Sequence, residues 1–254
     1  HAFIAPYVGS YGQGSTENRF FPALGNHDWR TTAGDPPRPA PYLDFFTLPA
    51  GPGDERYYEV VTGDVHLFML DSDPHEPDGI TDTSAQADWL RAALAASTAP
   101  WKLVFLHHPP FSSAAVHSST PALQWPFREW GATAVFAGHD HTYERLLIDG
   151  IPYFINGLGG ADLYGMGDPV AGSQFRYNAD HGAMLLEAGA ETILFRLFDR
   201  TGVEQDRYQM DVADPLPNVA PAPAWNTVER AIASSAGDAE ENRDSGVVTL
   251  TGAA

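Results

Sequence analysis

The amino-acid sequence predicts an α/β layered domain, and three observations carry that reading. Residues 101–106 and 133–137 are continuous apolar runs, the pattern of strands buried on both faces. Helical stretches separate such runs in the middle of the chain, the alternation that builds α/β layers. Pairs of β-branched and aromatic segments flank that middle and read as hairpins.

The elements follow in chain order. Residues 1–11 are an aromatic, mixed segment without a start signal. Residues 20–24 form a short apolar run, expected as a buried strand, that leads straight into Gly25-Asn26-His27-Asp28. Pro, Gly and Thr mark residues 31–41 as loop. Residues 57–61 and 65–70 are expected to pair as a hairpin about Thr62-Gly63-Asp64. The stretch 71–79 is dense in carboxylates but lacks the EF-hand spacing, so it reads as an acidic surface loop.

Ser84 is the expected N-cap of a helix through Ala96, with Ala87, Leu90 and Leu94 on one face and Trp89 beside them. The strand at 101–106 ends in His107-His108-Pro109-Pro110. A Ser-rich loop carries His117, and a second helix is expected over 122–130. The strand at 133–137 ends in Gly138-His139-Asp140-His141. Further strands are expected at 151–155, 183–187 and 192–198, with a flexible glycine-rich loop at 157–167. His66, on a hairpin strand, reads as a core residue.

Residues 1–212 are read as one domain. Pro215, Pro217, Pro221 and Pro223 make residues 213–224 a semi-rigid extended linker. Residues 225–254 are too few to form their own core. They read as a tail or as the opening of a further β-sandwich module, of the kind found in bacterial multidomain surface proteins.

Composition removes several function classes. The 254 residues carry 14 Lys plus Arg against 33 Asp plus Glu, a net charge of −19, and Lys102 is the only lysine. A field of that sign repels nucleic acid and anionic membranes and favours cations. A small phosphate ester stays admissible where a metal ion reverses the potential at one spot. There is no cysteine, hence no disulfide, thiol nucleophile or thiolate metal site. No apolar run approaches the ~20 residues of a membrane-spanning helix. The glycine-rich loop has no Gly-x-Gly-x-x-Gly and no P-loop lysine. No Gly-x-Ser-x-Gly occurs, which argues against a serine hydrolase. The chain begins with His1 and shows no charged-then-apolar leader, so a targeting segment is expected upstream.

Three segments share one design, in which an apolar run stops and metal-capable side chains appear at its end. They are Leu24-Gly25-Asn26-His27-Asp28, Phe105-Leu106-His107 and Ala137-Gly138-His139-Asp140-His141. Ligands gather at the carboxyl ends of strands in open α/β sheets, so the three are expected to share one crevice. His139 and His141 fall on one face of an extended segment, where two imidazoles reach two neighbouring metal ions.

These ordered motifs resemble the calcineurin-like metallophosphoesterase superfamily over residues 20–200. His107-His108-Pro109-Pro110-Phe111, the run Thr142-Tyr143-Glu144-Arg145 after Gly-His-x-His, and the hairpin from Tyr57 to Ser72 resemble its purple acid phosphatase branch. The resemblance implies a four-layer α-β-β-α sandwich. It implies that Asn26, His107 and His139 ligate one metal and His141 the other, with Fe, Zn or Mn suiting imidazole and amide oxygen. By the same resemblance His27 contacts the phosphoryl group, Asp28 orients His27, and His117 is the general acid toward the leaving group. Tyr143 and Arg145 brace the site.

The implied reaction is hydrolysis of phosphate monoesters through in-line attack by a hydroxide activated between two metals. Phosphodiesterase or nucleotidase activity on the same scaffold, and a non-catalytic acidic extracellular binding module, are the alternatives. The family also has Asp-x-His and Gly-Asp-x-x-(Tyr or His) segments before Gly-Asn-His, and nothing before Gly25 matches them. The expectation is therefore an N-terminally truncated domain, a fragment of a secreted protein, inactive alone for want of the bridging carboxylate.

Overall fold

The computed structural model describes residues 20–30, 38–213 and 247–250. Seven strands form the larger sheet: β1 (Tyr58–Thr62), β2 (Val65–Met69), β3 (Trp101–Phe105), β4 (Ala134–Ala137), β5 (Tyr143–Ile148), β6 (Ile151–Asn156) and β7 (Ser173–Tyr177). Their order across the sheet is β1-β2-β3-β4-β6-β5-β7. The neighbours β2, β3, β4 and β6 run parallel, and the flanking pairs are antiparallel. A smaller antiparallel sheet has β8 (Gly182–Ala188), β9 (Thr192–Asp199), β10 (Glu204–Asp211) and β11 (Val247–Leu250), in the order β10-β9-β8-β11. The β1–β2 hairpin forms about Thr62-Gly63-Asp64, with Thr62 paired to Val65 and Gly63 at φ 54°.

Alternation along the strands divides two cores. Leu67, Met69, Leu103, Phe136 and Phe154 face the smaller sheet, where Met184, Leu186, Phe195, Leu197 and Tyr208 meet them. The intervening Phe68, Val104 and Val135 pack with Leu90 and Leu94 of α3 (Ala85–Ala96) and with Phe127 of α4 (Phe127–Trp130). Helices, large sheet and small sheet thus stack as layers, the architecture expected of the metallophosphoesterase sandwich. Ser84 caps α3 as expected, its side chain accepting from the Ala87 N–H at 3.2 Å.

Two expected elements take other forms. Residues 20–24 are not a strand. Pro22 has no N–H to give a ladder, and its carbonyl accepts instead the hydroxyls of Tyr42 and Tyr58 at 2.9 and 2.7 Å. The helix expected over 122–130 is split by Pro126 into a 3-10 turn (Pro121–Leu123) and α4. Two short helices, α1 (Asn26–Arg30) and α2 (Ala40–Phe45), complete the described set. α2 begins inside the stretch read as loop, with proline in its first turn, where a missing N–H costs nothing. The linker beyond Ala213 lies outside the described residues, as do residues 1–19 and the tail apart from 247–250, which pair antiparallel with β8.

The sheets are also joined by charge. Arg145 on β5 donates through Nε and Nη2 to both oxygens of Asp206 on β10, at 2.7 and 3.1 Å, and the Tyr143 hydroxyl donates to the same carboxylate at 2.9 Å. All three side chains are buried. Tyr143 and Arg145, expected to brace the site, brace one sheet against the other.

Candidate metal centre

Four parallel strands finish at one edge of the large sheet. β2 runs out into Asp71-Ser72, β3 into His107-His108, β4 into Gly138-His139 and β6 into Gly157. The Gly138 N–H donates to the His107 carbonyl at 3.0 Å, which extends the β3–β4 pairing to the histidines themselves. α1 brings Asn26 and His27 to the same edge. The Trp29 indole N–H donates to buried Asp71 at 2.9 Å, and Asp28 accepts from the Gly25 N–H at 2.9 Å, which fixes the turn. A side chain at Gly25 would place its Cβ 3.0 Å from the His107 ring, so glycine lets α1 approach β3.

The donors then converge. His107 Nε2 lies 2.9 Å from Asn26 Oδ1 and 3.0 Å from His139 Nδ1. His139 reaches this position from a left-handed backbone, φ 65°, which is uncommon for a residue with a side chain and marks functional sites. The following turn passes so close to β6 that a Cβ on Gly157 would lie 2.1 Å from the Asp140 carbonyl. His141 Nδ1 donates to the Asp162 carbonyl at 2.8 Å, which leaves the lone pair on Nε2. Tyr164 stacks on the His141 ring with centroids 4.1 Å apart, and the His117 ring lies 4.1 Å from that of His139.

A cleft of about 300 Å³ is lined by Asn26, His27, His107, His108, His117, His139, His141 and Tyr164. The structure therefore gathers every site residue expected from the sequence except Asp28, which stands behind at the turn. His108 and Tyr164 are additions. Ligand atoms of His107, His108 and His139 all lie within 4.8 Å of one another, the one such His or carboxylate group among the described residues. Ser72 Oγ accepts the backbone N–H groups of His107 and His108 at 3.2 and 2.9 Å and contacts His108 Nδ1 at 3.0 Å.

Electrostatics favour a cation here. Burial, and then the neighbouring His108, push the His107 imidazole down to about 2 and that of His139 to about 3. Both rings are neutral near pH 7, as ligation requires. With the Asn26 amide they form a donor set suited to a borderline metal. For a second ion the cleft offers His141, and no carboxylate lines it among the described residues. The acidic loop beyond β2 is spent on structure. Arg56 donates to Glu76 at 2.8 Å and to Asp78 at 3.0 Å, and Gln86 closes on the Asp71 backbone. His66 is buried in β2 against Ser97 and Phe68, a core residue as read.

Imidazoles and an amide oxygen gathered at the carboxyl edge of a layered α/β sandwich make a candidate metal centre. The sequence model of the calcineurin-like phosphoesterase family matches residues 3–143, more than half of the chain, and the chain belongs to that family. In fold it is similar to purple acid phosphatase PPD1 from seeds of yellow lupin (Lupinus luteus), with TM-score 0.58 and 18% identity over 68% of this chain and 35% of that one. It is also similar to GAP50, the anchor in the inner membrane complex of Plasmodium, with TM-score 0.53 and 15% identity over 82% and 72% of the two chains. The chain thus spans about a third of the length of the lupin structure. No curated protein matches it. Among the described residues no helix is long and apolar enough to cross a membrane.

Proposed function

We propose that the cleft serves the hydrolysis of phosphate esters, monoesters foremost, at a dinuclear centre. Asn26, His107 and His139 hold one metal ion and His141 belongs to the other. The observation that carries this reading is the approach of Asn26 Oδ1 and His139 Nδ1 to within about 3 Å of His107 Nε2, where α1 meets the ends of the parallel strands. Fe, Zn or Mn, when bound, supplies positive charge to the phosphoryl oxygens and lowers the pKa of water.

The chain's own residues supply the rest. His27, exposed at the start of α1, steadies the charge that gathers on the phosphoryl oxygens, with Asp28 orienting it. His117 protonates the leaving oxygen as its bond to phosphorus breaks. The neutral ligands leave a cation its full charge, which attracts an anionic ester into an otherwise acidic molecule. With no carboxylate lining the described cleft, we expect the 254 residues alone to be inactive. The acidic surface suits an extracellular setting, and of the residues after the linker, 247–250 add a strand to the smaller sheet. Diester and nucleotide substrates are the neighbouring possibilities on this scaffold. The absence of carboxylates from the described lining favours a second reading, a non-catalytic acidic binding module.

Elemental analysis after dialysis against zinc tests the centre, with inorganic phosphate as the probe of anion binding. One ion per chain, lost in His107→Ala, is the expected outcome. A wild-type chain that retains no metal overturns the reading. Retained metal without phosphate binding favours the non-catalytic module.

A further inference from the structure

Asp140 stands between two histidines of the cleft and is not among the residues that line it. It is fully buried. With His139 left-handed at φ 65°, the chain presents His139 and His141 to the cleft, while the intervening carboxylate engages the loop that carries His117. Asp140 Oδ2 accepts from the Ser112 hydroxyl at 2.5 Å, and Oδ1 accepts from the backbone N–H of His117 at 3.3 Å. The Ser112 oxygen in turn accepts from the Ala114 N–H at 3.2 Å.

Four residues beyond Asp140, Glu144 grips the same root of the loop at the adjacent Ser113. Its carboxylate, also fully buried, accepts the backbone N–H and the hydroxyl of Ser113 at 2.7 and 2.6 Å. The loop needs such anchorage. His117 itself is exposed, and Ser118 after it sits at φ 62°. An exposed imidazole on a serine-rich loop has much conformational freedom to lose before it can hold one place.

We propose that Asp140 is a positioning residue, its buried carboxylate holding the backbone of His117 so that the exposed imidazole stays against His139 at the mouth of the cleft. Both of its oxygens are engaged by the loop, so it acts through His117 and not as a metal ligand. The assignment rests on the reading of His117 as the group that faces the leaving oxygen.

Three measurements on the full chain test it, with Asp140→Asn turning one of the two accepting oxygens into a donor and Ser112→Ala removing the hydroxyl that fixes the carboxylate. In the metal-free protein, amide exchange at His117 rises about tenfold in each variant, the effect of losing one hydrogen bond, while amides of β3 and β6 keep their rates. In cobalt-loaded protein, Asp140→Asn keeps the wild-type stoichiometry and visible spectrum. Inorganic phosphate binds it as weakly as it binds His117→Ala, and the double variant binds no more weakly still. Unchanged exchange at His117 in both variants overturns the proposal, as does an altered cobalt spectrum or an additive loss of phosphate binding. If Asp140→Asn does not fold, Ser112→Ala decides by the same readings. If the wild type takes up neither cobalt nor phosphate, the phosphoesterase reading falls, and the exchange rates still decide the role of Asp140.

Discussion

His107 holds its place because three neighbours leave it no other: Gly25 against its ring, Asn26 and His139 at its Nε2. Its proton affinity follows from that crowding. With its folded pKa lowered to about 2, and that of His139 to about 3, the folded chain binds fewer protons than the unfolded one below the ordinary histidine value near 6.5. The stabilising contribution of the two neutral rings is therefore complete above about pH 6.5 and declines as pH falls toward about 3. Urea unfolding of metal-free protein between pH 7.5 and 4.5 reads this, and His107→Gln flattens the decline by the share of one proton. Gly25→Ala drives a methyl group into the His107 ring. Metal affinity is expected to fall about 10–100-fold, the scale of losing outer support for a ligand, while the circular dichroism spectrum stays native. The Gly-Asn-His and Gly-His-x-His residues were legible because glycine and metal-capable side chains interrupt apolar runs abruptly. His108 and Tyr164 were not, since a Pro-rich turn and a glycine-rich loop carry no periodicity that places a side chain.

Elements were legible where burial and polarity alternate without exception. α3 shows its whole logic in sequence, from the Ser84 cap to the stripe of Ala87, Leu90 and Leu94. Ser84→Ala is expected to cost about 1 kcal/mol and Leu90→Ala about 2–5 kcal/mol, both measured by urea denaturation. β10 hid itself for the opposite reason. Its inward positions are Asp206, Tyr208 and Met210, and an aspartate in the core phase breaks the apolar count. β5 begins Tyr143-Glu144-Arg145, all buried, and reads as polar for the same cause. Strands whose buried face is a charge network have no hydrophobic signature to detect. The split of the second helix was visible only as Pro126, whose missing N–H outweighs the helical pattern around it.

At the scale of the molecule, two sheets share one apolar core and one charged clamp. Removing half of a buried ion pair strands the other charge, so Asp206→Ala is expected to destabilise by about 3–5 kcal/mol. The double variant Arg145→Met/Asp206→Leu recovers most of that loss, because an apolar pair of similar volume needs no hydration. Thermal unfolding of the single and double variants compares them directly. The net charge of −19 acts on everything at once. Self-repulsion relaxes as salt screens it, so the melting temperature rises between low and 0.15 M salt, where the screening length falls to about 8 Å.

Ser72 has one proton and two lone pairs. Both lone pairs are occupied by the backbone N–H groups of His107 and His108, so its proton goes to His108 Nδ1. That settles a tautomer: His108 carries its own proton on Nε2. A cation would need that nitrogen bare, with the proton moved to Nδ1, opposite an oxygen already saturated by donors. His108 thus stands beside His107 and His139 as a hydrogen-bond donor where they offer ligand atoms, and a cleft lined mostly by histidines offers an anion and a cation different faces.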